Sequence, residues 1–375
     1  MGQKIDQNNL FGISTYVLTM ERLLRVVQDL SASRDLNTVM DIVRHSVRDL
    51  TGSDGATFVL REGDYCYYAE EDAISPLWKG NRFPMEICIS GWVMMHKIPT
   101  VIEDIFADAR IPVDVYKKTF VKSLAMVPIR TNEPIGAIGC YWANHHRATP
   151  EQIKVLHVIA DTAAIAIDNI HHMSIIEIKA KQLDETLKGT MLAIAKMVEQ
   201  KDLYTSGHQY RVAMIGLAIA TELGWSEESR EIVYRAGIVH DIGKIGIPSE
   251  ILSKPAKLTQ YEFALIKTHP EAGYQILKDL PLLLPIADII LQHHERLNGS
   301  GYPKGLLGNE ILPEAQILTV ADVFESMISH RPYRPALGQD VAIEELVKNK
   351  GVFYSEEIVN ALVNLVITKG YKVPE

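Results

Sequence analysis

The sequence predicts a multidomain α+β chain: an N-terminal α/β sensory-type domain, a long linker helix and a C-terminal all-α domain. Three observations carry this. Between residues 56 and 142, short strand-like runs are separated by Gly-, Pro- and Asp-rich breaks. From 151 to 200, apolar residues recur near helical spacing with no strong break apart from Gly189. Beyond about residue 185 no strand-like alternation occurs. A length of 375 residues with 47% hydrophobic content suits two or three globular domains. The expected limits are a lead-in over 1–18, the sensory-type domain over 19–170, the linker helix over 171–200 and the helical domain over 201–375.

In order, residues 1–18 are polar, rich in Asn and Gln, and read as a loose lead-in. Residues 19–50 read as helix, with apolar positions from Leu23 to Leu50 and Asp35 able to cap a second helix. Strands are expected at Ala56–Arg61, Tyr65–Ala69, Thr100–Ile102, Ser123–Arg130 and Ile135–Trp142, the last two forming a hairpin across Thr131-Asn132-Glu133-Pro134. Thr149-Pro150-Glu151-Gln152 is a capping box with Pro at the first helical position, opening the long helix. In the C-terminal part, helices are expected from Ser226 to His240, from the Thr259 capping box, over Pro281–His294 and Pro313–Ser329, and over Gln339–Lys348 and Ser355–Thr368.

The net charge of −9 argues against a general binder of nucleic-acid polymers or anionic membranes. No apolar run reaches the roughly 18–20 residues needed to span a bilayer. Cys66, Cys88 and Cys140 lack CxxC spacing and read as free thiols, so a cytoplasmic setting is expected. Tyr65, Tyr67, Tyr68, Trp78 and Trp92 read as strand and core aromatics before they read as a ligand pocket.

Two stretches of the helical domain carry chemistry. His240-Asp241 is followed by Gly243-Lys244. His293-His294-Glu295 is followed by the Gly299-Ser300-Gly301-Tyr302-Pro303 turn. His208, His240, Asp241, His269, His293, His294 and Asp322 are the side chains able to bind metal. Any one alone reads as a hydrogen-bonded core histidine or a capping aspartate. Together, most of them flanked by apolar residues, they are costly to bury without a cation. Imidazoles with carboxylates suit first-row ions such as Fe, Mn, Zn or Co better than Mg or Ca. The set exceeds one tetrahedral site, and Asp241, adjoining His240, is the natural bridge between two ions. Such a pair makes hydroxide from water and stabilises phosphoryl transfer, so the reaction class is metal-assisted hydrolysis of a phosphate ester.

The segments His240-Asp241-Ile242-Gly243-Lys244, His293-His294-Glu295 and Gly301-Tyr302-Pro303, supported by Gly207-His208, His269-Pro270 and Ala321-Asp322 with Arg331-Pro332-Tyr333-Arg334, resemble the HD superfamily, and within it the HD-GYP family. Ser90-Gly91-Trp92-Val93, Ser123–Ile129, Ile135–Gly139 and the helix over Ala160–Ile170 resemble a GAF domain. The first resemblance implies an HD-type helical domain acting as a phosphodiesterase that opens cyclic di-GMP to linear pGpG and, in some members, GMP. It implies one metal set of His208, His240, Asp241 and Asp322 and another of Asp241, His269, His293 and His294. The ions expected are iron or manganese. Lys244 would touch the scissile phosphate, Arg331 and Arg334 the phosphates, and Tyr302 a phosphate or guanine. The second resemblance implies control by an unidentified effector at the GAF domain, and the linker helix itself is expected to pair with its twin in a homodimer. Leu203 stands where many relatives have Pro. Leu203-Tyr204 stands where some carry a third-metal carboxylate, which favours two ions but leaves Asp202 or Glu199 open for a third. A hydrolase of another nucleotide and a cyclic di-GMP-sensing binding module are the competing readings.

Overall fold

The computed structural model describes residues 7–201, 206–280, 285–330 and 335–374, with side chains from residue 17. The chain divides into two compact units, Met1–Ala180 and Lys181–Glu375.

The first unit opens with helices α1 (Gln7–Ala32) and α2 (Leu36–Thr51). Strands β1 (Gly55–Glu62), β2 (Tyr65–Ala73) and β3 (Arg82–Pro84) follow, then helix α3 (Ile89–His96), strand β4 (Thr100–Ile102), the short helix α4 (Val113–Tyr116), and the hairpin of β5 (Ser123–Ile129) and β6 (Gly136–Trp142). Helix α5 (Pro150–Glu199) begins here and runs on into the second unit. The strands form one antiparallel sheet in the order β3-β2-β1-β6-β5-β4. Strands β5 and β6 and the first part of β1 are buried on both faces because neighbouring residues enter different cores. Phe58, Ile138 and Cys140 pack with Leu30, Val43, Val47, Leu156 and Ala160 of the helices. Val59, Ala137 and Tyr141 pack on the opposite side with Tyr68, Trp78, Ile89 and Val93. The aromatics Tyr68 and Trp78 are core residues, in edge contact with each other and with Phe83, Tyr116 and Tyr141. All three cysteines are buried.

The capping signals are realised. Asp35 accepts from the Thr38 N–H at 2.9 Å, and Thr149 and Gln152 bond reciprocally at the start of α5. One expectation is corrected: α1 starts at Gln7, inside the stretch read as a loose lead-in. Leu10, Ile13 and Val17 already stand at helical spacing there, a signal masked by the Asn/Gln-rich composition. Strand β3 and helix α3 were not anticipated. The first has three residues, and the second carries a glycine in its first turn.

The second unit contains α6 (His208–Glu222), α7 (Glu227–Val239), a 3₁₀ turn (Ile242–Gly246), α8 (Ser249–Leu252), α9 (Gln260–Ile266), α10 (His269–Leu277), α11 (Ile286–Gln292), α12 (Pro313–Ile328), α13 (Gln339–Lys348) and α14 (Glu356–Val363), which runs into a π turn at Asn364–Thr368. Ser226 caps α7, and Thr259 with Glu262 forms the expected capping box of α9. The expected helix over Pro281–His294 is described only as Ile286–Gln292, since 281–284 lie outside the described residues. The core is built from Val212, Ile215 and Ile219 of α6, Val233 and Val239 of α7, Ile289 and Ile290 of α11, and Ile317, Leu318 and Phe324 of α12. No helix among the described residues is long and apolar enough to cross a membrane.

Leu156, fully buried between α5 and the sheet, offers a test of the first core. Leu156→Ala should cost about 2–5 kcal/mol through lost burial and the cavity left behind. Urea unfolding followed by tryptophan fluorescence reads this unit well, because Trp78, Trp92 and Trp142 lie in it. An unshifted midpoint would contradict the packing.

Candidate metal centre

The site is assembled from helix ends. His240 directly follows α7, His269 opens α10 immediately beyond the end of α9, and His293 directly follows α11. The last carbonyls of a helix lack intrahelical partners, and these three rings use them. Nδ1 of His240 bonds the Gly237 carbonyl at 2.7 Å, Nδ1 of His269 that of Ile266 at 2.7 Å, and Nδ1 of His293 that of Ile290 at 2.5 Å. A carbonyl only accepts, so each Nδ1 carries the ring proton and each Nε2 of the neutral ring is left as a bare lone pair.

Those nitrogens converge. The Nε2 atoms of His269 and His293 are 3.3 Å apart. Nε2 of His240 is buried without a hydrogen-bond partner. His208, His240, Asp241, His269 and His293 are all nearly inaccessible to solvent. Burial, and then the neighbouring rings His240 and His269, push His293 down to about 3. Burial with His293 and His269 likewise holds His294 well below the usual imidazole range. His293 and His294 are therefore neutral, ligand-type imidazoles.

The carboxylates stand between them. Asp241 Oδ1 faces His269 Nε2 at 3.2 Å, while Oδ2 faces His240 at 3.5 Å and His208 at 3.7 Å. Asp322 Oδ1 lies 3.2 Å from His208 Nε2, and Oδ2 lies 3.9 Å from His294 Nδ1. Burial opposes ionisation of Asp241, but the Lys244 ammonium beside it overrides this and holds the carboxyl well below its usual range. Three groups of donors lie close enough to share an ion: His269, His293 and His294; His208, His240 and Asp322; and His240, Asp241 and His293. Converging lone pairs, an orphaned buried nitrogen and carboxylates placed between them fit first-row cations.

All seven expected ligand side chains are therefore brought together, and Lys244 joins them through a 2.5 Å bond to Asp241 Oδ2. Tyr302 lies beside His294, with ring centroids 4.7 Å apart. Arg331 and Arg334, like Asp202, Leu203 and Tyr204, fall outside the described residues. The Glu199 carboxylate accepts from the Gly207 and Gln209 N–H groups at 2.8 and 3.0 Å. The close approach made by Gly301 is to the chain itself, since a Cβ there would stand 2.4 Å from Glu295 Cα and 2.5 Å from Arg296 N.

Two participants, Glu325 and Lys267, escaped the sequence reading. Glu325 is fully buried and meets His208 Nδ1 and Arg211, its carboxyl raised by burial but pulled to about 2 chiefly by His208. Its signal was a charged residue one helical turn after Asp322 in an otherwise apolar run. Asp322, expected as a ligand, also faces a histidine of the second set, since it lies between His208 and His294. Lys267 holds its ammonium 5.1 Å from the Tyr302 ring, a contact that no spacing announced.

Against this geometry the comparisons with known proteins are informative. Residues 193–358 match the family model for the HD domain and residues 33–168 that for the GAF domain. The chain thus carries a GAF domain followed by an HD domain. Among curated relatives, it is 39% identical over 183 residues to the cyclic di-GMP phosphodiesterase response regulator RpfG of Xanthomonas campestris, covering 48% of each chain. It is 42% identical over 178 residues to a cyclic di-GMP phosphodiesterase of Thermotoga maritima, covering 47% of this chain and 48% of that one. It is 39% identical over 166 residues to the 3'3'-cGAMP-specific phosphodiesterase 3 of Vibrio cholerae, covering 44% of this chain and 36% of that one. The chain spans about half or less of the length of these relatives.

Glu295 supplies a test of the loop that follows the histidine pair. Its buried carboxylate accepts from the Lys304, Gly305 and Leu306 N–H groups at 2.7–3.1 Å. Hydrogen bonds to a charged group contribute about 1.5–3 kcal/mol each. Glu295→Ala should therefore speed amide exchange at these residues by about tenfold or more; unaltered protection at all of them would refute the anchoring.

Proposed function

We propose that this chain is a metal-dependent phosphodiesterase that hydrolyses cyclic di-GMP to linear pGpG or to GMP, under control of its GAF domain. The observation that carries the reading is the convergence of unprotonated, buried imidazole nitrogens on two carboxylates, in an HD domain related to cyclic di-GMP phosphodiesterases. His208, His240, Asp241 and Asp322 would hold one iron or manganese ion, and Asp241, His269, His293 and His294 the other. Bound there, the ions would lower the pKa of a water and neutralise charge developing on the phosphoryl oxygens.

The remaining work falls to the chain's own groups. Asp241 is kept ionised in a buried place and offers one oxygen to each set. Lys244 Nζ, already beside Asp241, needs only a small side-chain movement to donate to a phosphate oxygen or the departing ribose oxygen. Tyr302 offers an aromatic face to a guanine. Arg331 and Arg334 would fork the phosphates. Water adds across one P–O bond, and the leaving oxygen departs with a proton.

The regulatory reading takes 19–170 as the sensory domain, 171–200 as the connecting helix and 201–375 as the catalytic domain. A homodimer through α5 is supported by exposed Val158, Ile165, Ile176, Leu183 and Met197, which recur at intervals of 7, 11, 7 and 14 residues, close to a coiled-coil seam. Three buried free thiols suit a reducing cytoplasm.

Protein purified without oxygen, with iron, manganese and zinc quantified, should convert cyclic di-GMP to pGpG or GMP, and Asp241→Ala should lose both metal and turnover. Full metal occupancy with intact substrate would sink the enzyme reading and favour a sensing module. The relationship to a 3'3'-cGAMP-specific enzyme makes that dinucleotide the alternative substrate; a higher kcat/KM for it would decide in its favour. Lys244→Met should keep the metals and lower kcat by about 10²–10³-fold, the scale of one lost transition-state donor; an unchanged kcat would remove Lys244 from the chemistry.

Gly189 of α5 has open space around its Cα, so Ala fits and stiffens the helix by up to about 1 kcal/mol. Gly189→Ala should alter basal turnover while leaving metal content unchanged. Identical kinetics in native and variant protein would remove support for control through this helix.

A further inference from the structure

His208 differs from the other histidines in how its ring is held. His240, His269 and His293 each use a main-chain carbonyl three residues back, at the end of a helix. His208 stands elsewhere in the fold: it is the first residue of α6, and the preceding helix, α5, stops nine residues earlier at Glu199. We infer that Glu325 is the positioning residue that holds the His208 ring and decides which nitrogen it turns towards the centre. The inference rests on the metal-site reading above.

The geometry is specific. Glu325 Oε2 bonds His208 Nδ1. The other oxygen accepts from Arg211 Nε and Ser329 Oγ, each at 2.7 Å. Arg211 is in turn fixed to the Ser206 carbonyl at 3.0 Å. The carboxylate is thus clamped from both sides before it meets the ring. An ionised carboxylate only accepts, so the Nδ1 proton lies between them and Nε2 is presented to Asp322 and Asp241. A carboxylate behind a ligand histidine fixes its tautomer and strengthens it as a donor. Glu325 also lies one helical turn after Asp322 on α12, so a single turn carries a centre-facing carboxylate and the group that aims the opposing histidine. No substrate or ion would touch Glu325, so its role is exercised through His208.

The full-length protein, stripped of metal and titrated anaerobically with manganese and with ferrous iron, tests this by equilibrium dialysis. Glu325→Ala should weaken one of two bound ions by about 10–100-fold, the usual cost of losing such a partner, with the other unchanged. Glu325→Gln keeps a carbonyl oxygen able to accept from Nδ1–H and should retain most of that affinity. Native-like binding by Glu325→Ala would overturn the inference, as would equal losses in both variants. Absence of metal from the native protein would instead overturn the metal reading itself. Because removing a buried carboxylate beside Arg211 can unfold the unit, a second measurement uses native protein labelled with ¹⁵N-histidine and loaded with zinc. Long-range proton–nitrogen correlations, assigned with His208→Asn, should show His208 protonated at Nδ1. Protonation at Nε2 would exclude the role.

Discussion

Bare nitrogen lone pairs buried 3.3 Å apart repel one another, and water is shut out of the place where they meet. The helical unit tolerates this because each ring proton is committed elsewhere, to a carbonyl that a helix leaves unpaired. The arrangement satisfies Nδ1 and creates an unmet demand at Nε2. A protein core that removed the demand with hydrogen-bond donors would be more stable without metal. Here the neighbours of the lone pairs are other lone pairs and two carboxylates. The favourable occupant of such a place is a cation, and the local fold is fixed by the need to hold the donors in position before it arrives.

Helix ends suit that task for a second reason. α7, α9 and α11 all direct their C-terminal ends to the centre. Each contributes the partial negative charge of its unpaired carbonyls, which adds to Asp241 and Asp322. The short lengths of α9 and α11, seven residues apiece, follow from the need to end several helices in one small volume. Close backbone approach completes the assembly. At Gly243 a Cβ would stand 2.0 Å from the His269 carbonyl, so the turn bearing Lys244 and the helix bearing His269 come together only because that side chain is absent.

Much of this was legible in the sequence, for physical reasons that also explain the rest. Capping boxes at Thr149 and Thr259 and caps at Asp35 and Ser226 are local, and local signals survive in a linear reading. The ligand set was legible because histidines and aspartates in apolar runs demand an explanation wherever they occur. Glu325 was hidden because its partner His208 is 117 residues away, and a lone glutamate late in a helix ordinarily faces solvent. The contacts of Glu199, whose carboxylate accepts from the Gly207 and Gln209 N–H groups, were hidden because a turn outside any regular repeat sets them. The start of helix α1 is hidden because Asn and Gln between its apolar positions dilute the helical spacing.

The same contacts distinguish His208 from the other ligands in its dependence on the rest of the unit. His240, His269 and His293 are oriented by carbonyls close to them in sequence, so their rings follow short local segments. His208 is oriented by Glu325 of α12, while the N–H groups on either side of it bond the last residue of α5. A displacement of the end of α5 therefore strains the start of α6 first, and with it the one histidine whose ring is referred to a distant helix. The remaining imidazoles would keep their mutual geometry. A long helix ending in a carboxylate that brackets a ligand histidine has the connectivity needed to change the donor set at one edge without dismantling the centre.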